Sequence, residues 1–482
     1  TGNVTYIRPQ PEEGEDYERY NWDAPIYISP HSPTRLYHAS QRLWRSDDRG
    51  DSWTAVSEDL TKNKERIELP IMGRKQSWDN PWDLYAMSNF STITSIAESP
   101  LQEGLLYVGT DDGLIQISQD GGKNWTELAV SKLPGVPATA YVNDIKTDLY
   151  DANTVYVALD NHKYGDFAPY LYKSTNAGKT WTNIGSTLPE KHLVWRLVQD
   201  HVDKDLLFIG TEFGIFFSTD GGTKWVKLKG GIPNIPVRDI TIQRRENDLV
   251  AATFGRSFYV FDDISVFRKI DEEALKSEAT LYPSRKALWY IPGPNLSFGN
   301  DKGSQGEAHF VADNPPFGAV FTYSLNEGFQ SLKSKRQEKE KELNKANADI
   351  PFPGWDKIEM EQQEDSVMIW LTITDVDGNV IRKISGPTGK GFHRVAWDLK
   401  YPSKRVVSLN QKKVVGEGLM ASPGEYFVQI QKEDKGKITN LSDKQSFVVE
   451  PLYKQTLNNP LAAQRSDFWR SYEDLVMEHS HF

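Results

Sequence analysis

The 482 residues include no cysteine. That excludes disulfide staples, thiolate metal ligands and a cysteine nucleophile, and it suits a bacterial extracytoplasmic protein that does without oxidative cross-links; by itself it does not exclude the cytoplasm. Long apolar runs are missing too. No stretch approaches the roughly 20 residues that a helix needs to cross a bilayer, so no transmembrane segment is expected. Positive charge is in deficit, with 56 Lys and Arg against 67 Asp and Glu and a net charge of −11, which removes the footing a nucleic-acid partner would need. What is plentiful is aromatic: 14 Trp, 21 Tyr and 21 Phe. The length exceeds one ordinary core, so at least two domains are expected.

One pattern, Ser-x-Asp-x-Gly-x-x-Trp, occurs four times: Ser46, Asp48, Gly50, Trp53; Ser118, Asp120, Gly122, Trp125; Ser174, Asn176, Gly178, Trp181; and Ser218, Asp220, Gly222, Trp225. The single departure, Asn176, keeps the acceptor oxygen. The chemistry is that of a tight turn, in which the Asx side chain bonds forward to backbone amides and glycine supplies a left-handed conformation. Each copy follows an apolar run (LYHASQRLWR from Leu36, LLYVGTDDGLIQI from Leu105, LLFIGTEFGIFF from Leu206), and another strand-like segment lies upstream. A fifth unit from Val237, running into LVAATFGRSFYVFDD, lacks the turn motif. About five four-stranded units in succession are how a β-propeller is written.

With ISPHSP (Ile28 to Pro33), RSDDRGDSW (Arg45 to Trp53), YVGTDDG (Tyr107 to Gly113), GTEFGIF (Gly210 to Phe216) and RENDLVAATFGRS (Arg245 to Ser257), the chain resembles the Asp-box, or bacterial-neuraminidase-repeat, propellers. Sortilin-type receptors, sialidases and xyloglucanase-type glycoside hydrolases share that repeat, and the resemblance extends to bacterial sortilin-like proteins often labelled glycosyl hydrolases. It implies an all-β propeller over 1–267. Similar proteins carry further blades, so the chain is expected to be part of a larger ring completed by another polypeptide, with closure of five blades alone as the competing reading. The motif implies a structural staple at the rim and nominates no reaction.

After Phe267 the texture changes. Residues 268–305 read as a linker, and 306–452 as a β-sandwich, with period-two strands at 318–325, 366–375, 379–384, 393–399, 424–431 and 445–450. The module resembles the immunoglobulin-like domains that end many bacterial surface proteins. A charged insertion, 328–350, reads as a solvated helix, and 453–482 as a C-terminal helix whose apolar stripe (Phe468 or Trp469, Tyr472, Leu475, Val476) requires a surface to cover it.

Chemistry, if present, is expected in inserted loops and at the ring's centre. Ligand-binding candidates are Trp78, Trp82 and Tyr85 in one insertion and His162 in another, since pyranose faces stack on aromatic rings beside carboxylates; the same aromatics could simply pack their loops. Asp111, Asp112 and Glu212 occupy equivalent places in their blades and are the candidate catalytic acids for a glycoside hydrolase, which needs two carboxylates at a set separation. Turn formation ahead of glycine explains them equally. Arg196, Arg238 and Arg256, on successive blades, are candidates for holding a carboxylate. No cofactor is expected and no metal site: Asp375, Asp377 and Asn379 begin like a calcium loop, but Gly386 stands where the closing Glu belongs. Two function classes remain. One is a propeller that binds a protein or peptide, or helps assemble a surface or outer-membrane complex, in the periplasm, at the cell surface or secreted. The other is a glycan-binding or glycan-cleaving protein.

Overall fold

The computed structural model describes residues 4–15, 17–70, 73–79, 89–293, 312, 314–404, 418–453 and 462–479. It divides into two compact units, Thr1–Arg268 and Lys269–Phe482.

The first unit is a run of antiparallel meanders. The first blade holds β1 (Ile26–Ile28), β2 (Leu36–Ala39), β3 (Leu43–Ser46) and β4 (Thr54–Ala55). The second holds β5 (Ile93–Glu98), β6 (Leu106–Thr110), β7 (Leu114–Ser118) and β8 (Thr126–Ala129). The third holds β9 (Tyr141–Thr147), β10 (Val155–Asn161), β11 (Asp166–Ser174) and β12 (Thr182–Asn183). The fourth holds β13 (Val194–Gln199), β14 (Leu207–Thr211), β15 (Gly214–Ser218) and β16 (Val226–Lys227). The fifth has three strands, β17 (Val237–Gln243), β18 (Asp248–Thr253) and β19 (Phe258–Phe261).

The first strands of successive blades lie against one another, β5 on β9, β9 on β13 and β13 on β17, so they gather round a common axis. Between blades the core is aliphatic and aromatic. Tyr37, Ala39 and Leu43 of the first blade meet Ile93, Ile96, Leu106 and Val108 of the second, and Tyr156, Ala158 and Leu171 of the third meet Val194, Leu197, Leu207 and Ile209 of the fourth.

The repeated turn has one geometry in all four copies. In the second, Ser118 Oγ donates to Asp120 Oδ1 (2.9 Å) and accepts from the Gly122 amide (2.9 Å), while Asp120 Oδ1 accepts from the Asn124 amide (2.9 Å). Asn176 does the same work, taking the Thr180 amide at 2.8 Å. The glycine is left-handed each time (φ +95°, +97°, +82° and +96°), a conformation that a side chain would strain.

The second unit packs two sheets over a core of Phe321, Tyr323, Ile369, Leu371, Trp397, Val428 and Phe447. The smaller sheet orders β20 (Ala279–Leu281), β22 (Ala319–Leu325) and β25 (Gly391–Trp397). The larger orders β21 (Ala287–Trp289), β28 (Gln445–Pro451), β26 (Gly424–Asp434), β23 (Met368–Thr374) and β24 (Val380–Gly386), with β27 (Lys437–Asn440) on β26. Helices α1 (Glu272–Lys276), α2 (Leu332–Lys345), α3 (Trp355–Gln363) and α4 (Ala462–His479) complete it. Two differences from the sequence reading stand out. The stretch read as a linker contributes β20 and β21, three-residue strands on either side of Pro283 and too short to show a period. The charged insertion continues into α3, which is tied to α2 by Arg336 bonding Glu361 at 2.7 and 2.9 Å.

Candidate functional site

In a four-stranded meander the turn between strands two and three opens on the same face as the segment that enters strand one. Backbone bonds fasten the two together in blade after blade: the Asp111 amide to the Thr92 carbonyl (3.1 Å), Glu212 to Leu193 (3.0 Å) and Phe254 to Pro236 (2.9 Å). This end of the blades, where the candidate acids lie, is therefore a row of equivalent turns.

Asp111 is buried. Its Oδ1 accepts the Thr92 amide (2.8 Å), and its Oδ2 takes the Thr92 hydroxyl (2.7 Å) and the Asn21 side-chain amide (3.4 Å). Burial pushes its pKa up to about 7, against the two Thr92 donors and Lys163, which pull down; neighbouring Asp112 adds to the rise. Asp112 turns the other way, accepting the Thr110 hydroxyl (2.6 Å) and the Lys62 amide (2.7 Å). Glu212 accepts the Trp195 indole N–H at 3.1 Å. Each acid thus bonds a different set of neighbours.

A second cluster joins the third, fourth and fifth blades. The Arg238 guanidinium lies 3.7 Å from the centre of the Trp195 ring, and His162 meets the same ring edge-on at 5.8 Å. His162 Nδ1 is bonded to buried Asp160. Arg196 binds the carbonyls of Asn143 and Trp195 and approaches Asp239 to 3.8 Å, bridging blades from within. Arg196 and Arg238 both contact Trp195, the first at its carbonyl and the second over its ring. Arg256 stands at the exposed tip of the β18–β19 turn, with no ion pair to a carboxylate among the described residues.

Trp78 is exposed in its loop, while Trp82 and Tyr85 fall outside the described residues. Tyr164, Phe213 and Phe254 stand exposed on the turns of three consecutive blades, and Phe167 is exposed near the start of β11. Sequence reasoning missed Glu18, a buried carboxylate held by Ser40, Arg42 and the Trp44 indole, together with Asp160 and Trp195. Nothing local marks them, because their partners lie in other strands or blades. Among the described residues no three His, Asp or Glu are grouped to hold a metal ion, and no helix is long and apolar enough to cross a membrane.

Fold and site together define a multi-bladed propeller whose turn face is polar, acid-rich and rimmed by aromatics, followed by a β-sandwich. No family model matches the chain. Xyloglucanase Xgh74A of Acetivibrio thermocellus is 30% identical over 151 residues, covering 27% of this chain and 18% of that protein, so the match spans less than a fifth of its relative. Among solved structures, the GH74 xyloglucanase from Xanthomonas campestris aligns over 86% of this chain and 63% of its own, at 14% identity and a TM-score of 0.39. PorZ, described as a surface component of the type-IX secretion system of Porphyromonas gingivalis, aligns over 88% and 51%, at 11% identity and a TM-score of 0.32. At these values the likenesses say nothing of what this chain binds.

Proposed function

We propose that the chain is a binding or assembly component of an extracytoplasmic bacterial surface complex: a sortilin-like Asp-box propeller joined to an immunoglobulin-like module that docks on a protein partner. The observation that carries this reading is the orientation of α4. Its less exposed positions are Ser466, Arg470, Glu473 and Met477, a stripe at helical spacing that is polar but for Met477, and Arg470 lies 4.6 Å over the Tyr401 ring while Asp474 pairs with Lys404. Phe468, Trp469, Tyr472, Leu475 and Val476 are left exposed to solvent. A helix that turns its polar stripe to its own chain and its aromatic stripe outward is made to be covered by something else.

The candidate acids support the same reading, since Asp111, Asp112 and Glu212 are each occupied in holding a turn. The test compares wild-type chain with the double variant W469A/Y472A, isolated from the envelope of the producing bacterium and weighed by native mass spectrometry. A partner present with the first and lost with the second is expected. Release of reducing ends from xyloglucan or related glycans, abolished by D111N, D112N or E212Q, would overturn the proposal in favour of a glycoside hydrolase.

A further inference from the structure

The junctions between blades repeat, so each serves as a control for the others. Where a blade's outer strand ends, one amide returns to the strand before it: Val56 to the Leu43 carbonyl (2.8 Å), Ile184 to Leu171 (2.9 Å) and Leu228 to Ile215 (2.8 Å). Four residues on come Leu60, Leu188 and Ile232; in the second junction, which is longer, the counterpart is Leu133. Leu60, Leu133 and Leu188 are plugs. Each is buried, and each shares an apolar cluster with a branched residue of the next blade's second strand: Leu60 with Val108, Leu133 with Val157 and Leu188 with Ile209. Their amides are bonded too, to the carbonyls of Gln41, Val130 and Gly185.

The junction of the fourth and fifth blades departs from this pattern. Ladder register puts Ala251 where the earlier blades have Val108, Val157 and Ile209, so the wall that a plug should meet lacks its branched side chain. Ile232 is partly exposed, and residues 229–235 make no backbone–backbone hydrogen bond among the described residues. The two residues before it are Gly230 and Gly231, both at positive φ (+128° and +96°), where the first and third junctions have Glu58–Asp59 and Ser186–Thr187. A Cβ on either glycine would meet nothing within 4 Å, so the backbone conformation, not a lack of room, calls for glycine.

The result is a cavity of about 160 Å³, lined by Ile215, Leu249, Ala251 and Tyr259 and bordered by Gly230–Ile232. Tyr259 stands opposite Ala251 on the ladder, and its counterparts show what a polar group does there. Gln116, opposite Val108, donates to the Leu60 carbonyl (3.0 Å). Tyr172, opposite Val157, donates to the carbonyl of Pro134, the residue after Leu133 (2.6 Å). Phe216 of the fourth blade has no polar group and is buried in the Leu188 cluster. Tyr259 has one, and its hydroxyl meets no acceptor among the described residues.

We propose that this junction is a latch with two positions. Gly230–Gly231 is its hinge, Ile232 its plug and Tyr259 its catch. Closed, Ile232 fills the cavity and the Tyr259 hydroxyl donates to the Pro233 carbonyl, as Tyr172 does to Pro134. Open, as here, the junction is a binding site for an apolar group of about six carbons, since a dry cavity of about this size with aliphatic and aromatic walls accepts benzene. Ile232 is the resident occupant because its spacing, the proline that follows it and the vacant catch all repeat the plugged junctions, where Pro134 and Pro189 follow Leu133 and Leu188. The loop runs on into Val237 and Arg238, so the latch lies in the segment that delivers Arg238 to Trp195. It belongs to the first unit and α4 to the second, so the two proposals fail separately.

The test uses the full-length chain with isotope-labelled isoleucine methyls, followed by NMR, and benzene as the probe. In wild type, benzene should shift the Ile215 and Ile232 methyls saturably. Ile232 should also show microsecond-to-millisecond exchange broadening, which saturation with benzene removes. G230S/G231T, which gives the loop the residues of the third junction, should shut the latch and weaken benzene binding at least ~10-fold, because a side chain disfavours positive φ at both places. Adding Y259F to that pair should recover ~2- to 10-fold, the worth of one hydrogen bond. A251I, which restores the branched wall, should abolish benzene binding with circular dichroism unchanged. Benzene that leaves both methyls unmoved in wild type would show that there is no pocket, and equal affinity for wild type and G230S/G231T would show that there is no hinge; either result overturns the proposal. Should G230S/G231T fail to fold, the wild-type methyl decides alone, and an Ile232 signal without exchange broadening overturns the latch.

Discussion

Asp111 provides a test of how the turn face is held together. Its carboxyl is shifted from the ordinary value of 3.8 to about 7, chiefly by burial. The folded chain therefore keeps the proton between about pH 4 and 7, where the unfolded chain has released it. Because the unfolded state binds fewer protons in that window, stability falls as pH rises through it and levels off above about 7. At 1.36 kcal/mol per unit, the shift amounts to about 4 kcal/mol in all, of which about 3 kcal/mol appears between pH 5 and 8. Asp111→Asn keeps an acceptor for the Thr92 amide and removes the titration.

The assay is the urea midpoint of the β5–β7 amides by pulsed hydrogen exchange, at intervals from pH 5 to 8, in wild type and D111N. Other titrating groups act on both proteins alike, so the difference between them isolates Asp111. Wild type should lose about 3 kcal/mol relative to D111N as pH rises. A difference constant within about 0.5 kcal/mol, smaller than the ordinary net worth of one hydrogen bond, would refute the argument. A difference of opposite sign would mean that the two Thr92 donors outweigh burial, and that the carboxylate is the native form.

Three further outcomes follow from the turns and blade junctions. Ser118→Ala leaves the Gly122 amide without its acceptor and should cost about 1–3 kcal/mol in urea denaturation of the first unit. Gly210→Ala drives a methyl into the Val237 carbonyl and should cost about 1–3 kcal/mol, seen as earlier exchange of β14 and β17 amides. Hydrogen bonds from Ser52 and Asn124 hold Asp48 and Asp120 down at about 2, so their contribution is complete above the ordinary 3.8 and is lost as pH falls through about 2. Protection of the Gly50 and Gly122 amides should accordingly drop between pH 4 and 2, while that of Gly178, served by uncharged Asn176, holds.

The repeated turn was legible because its chemistry is local: Ser118, Asp120, Gly122 and the Asn124 amide close on one another within a few residues, so spacing alone describes the geometry. The sandwich strands were legible for the same reason, since alternation in β23 or β26 needs no partner to be seen. The turn face was not. Asp111 owes its shifted proton to burial, against the pull of two bonds from Thr92 on the neighbouring strand, and Trp195 is made distinctive by His162 and Arg238 from the blades on either side. Helix α3 escaped because it has no buried residue, so no apolar stripe announces it.

Repetition supplies what a single sequence otherwise lacks, a comparison at fixed structural position. Of the aliphatic residues that share one place in the first strands, Ile96, Ile145, Leu197 and Ile240 are buried and Ile26 is not; of the small residues that share one place in the second strands, Ala39, Gly109, Ala158 and Gly210 are buried and Ala252 is not. An exposed isoleucine alone means little, because much of any protein surface is apolar. Ile26 lies in the first blade, where no preceding blade among the described residues covers the position that is core in the other four. Tyr164, Phe213 and Phe254 have no buried counterpart from which to infer a partner, and their exposure alone does not say what they meet.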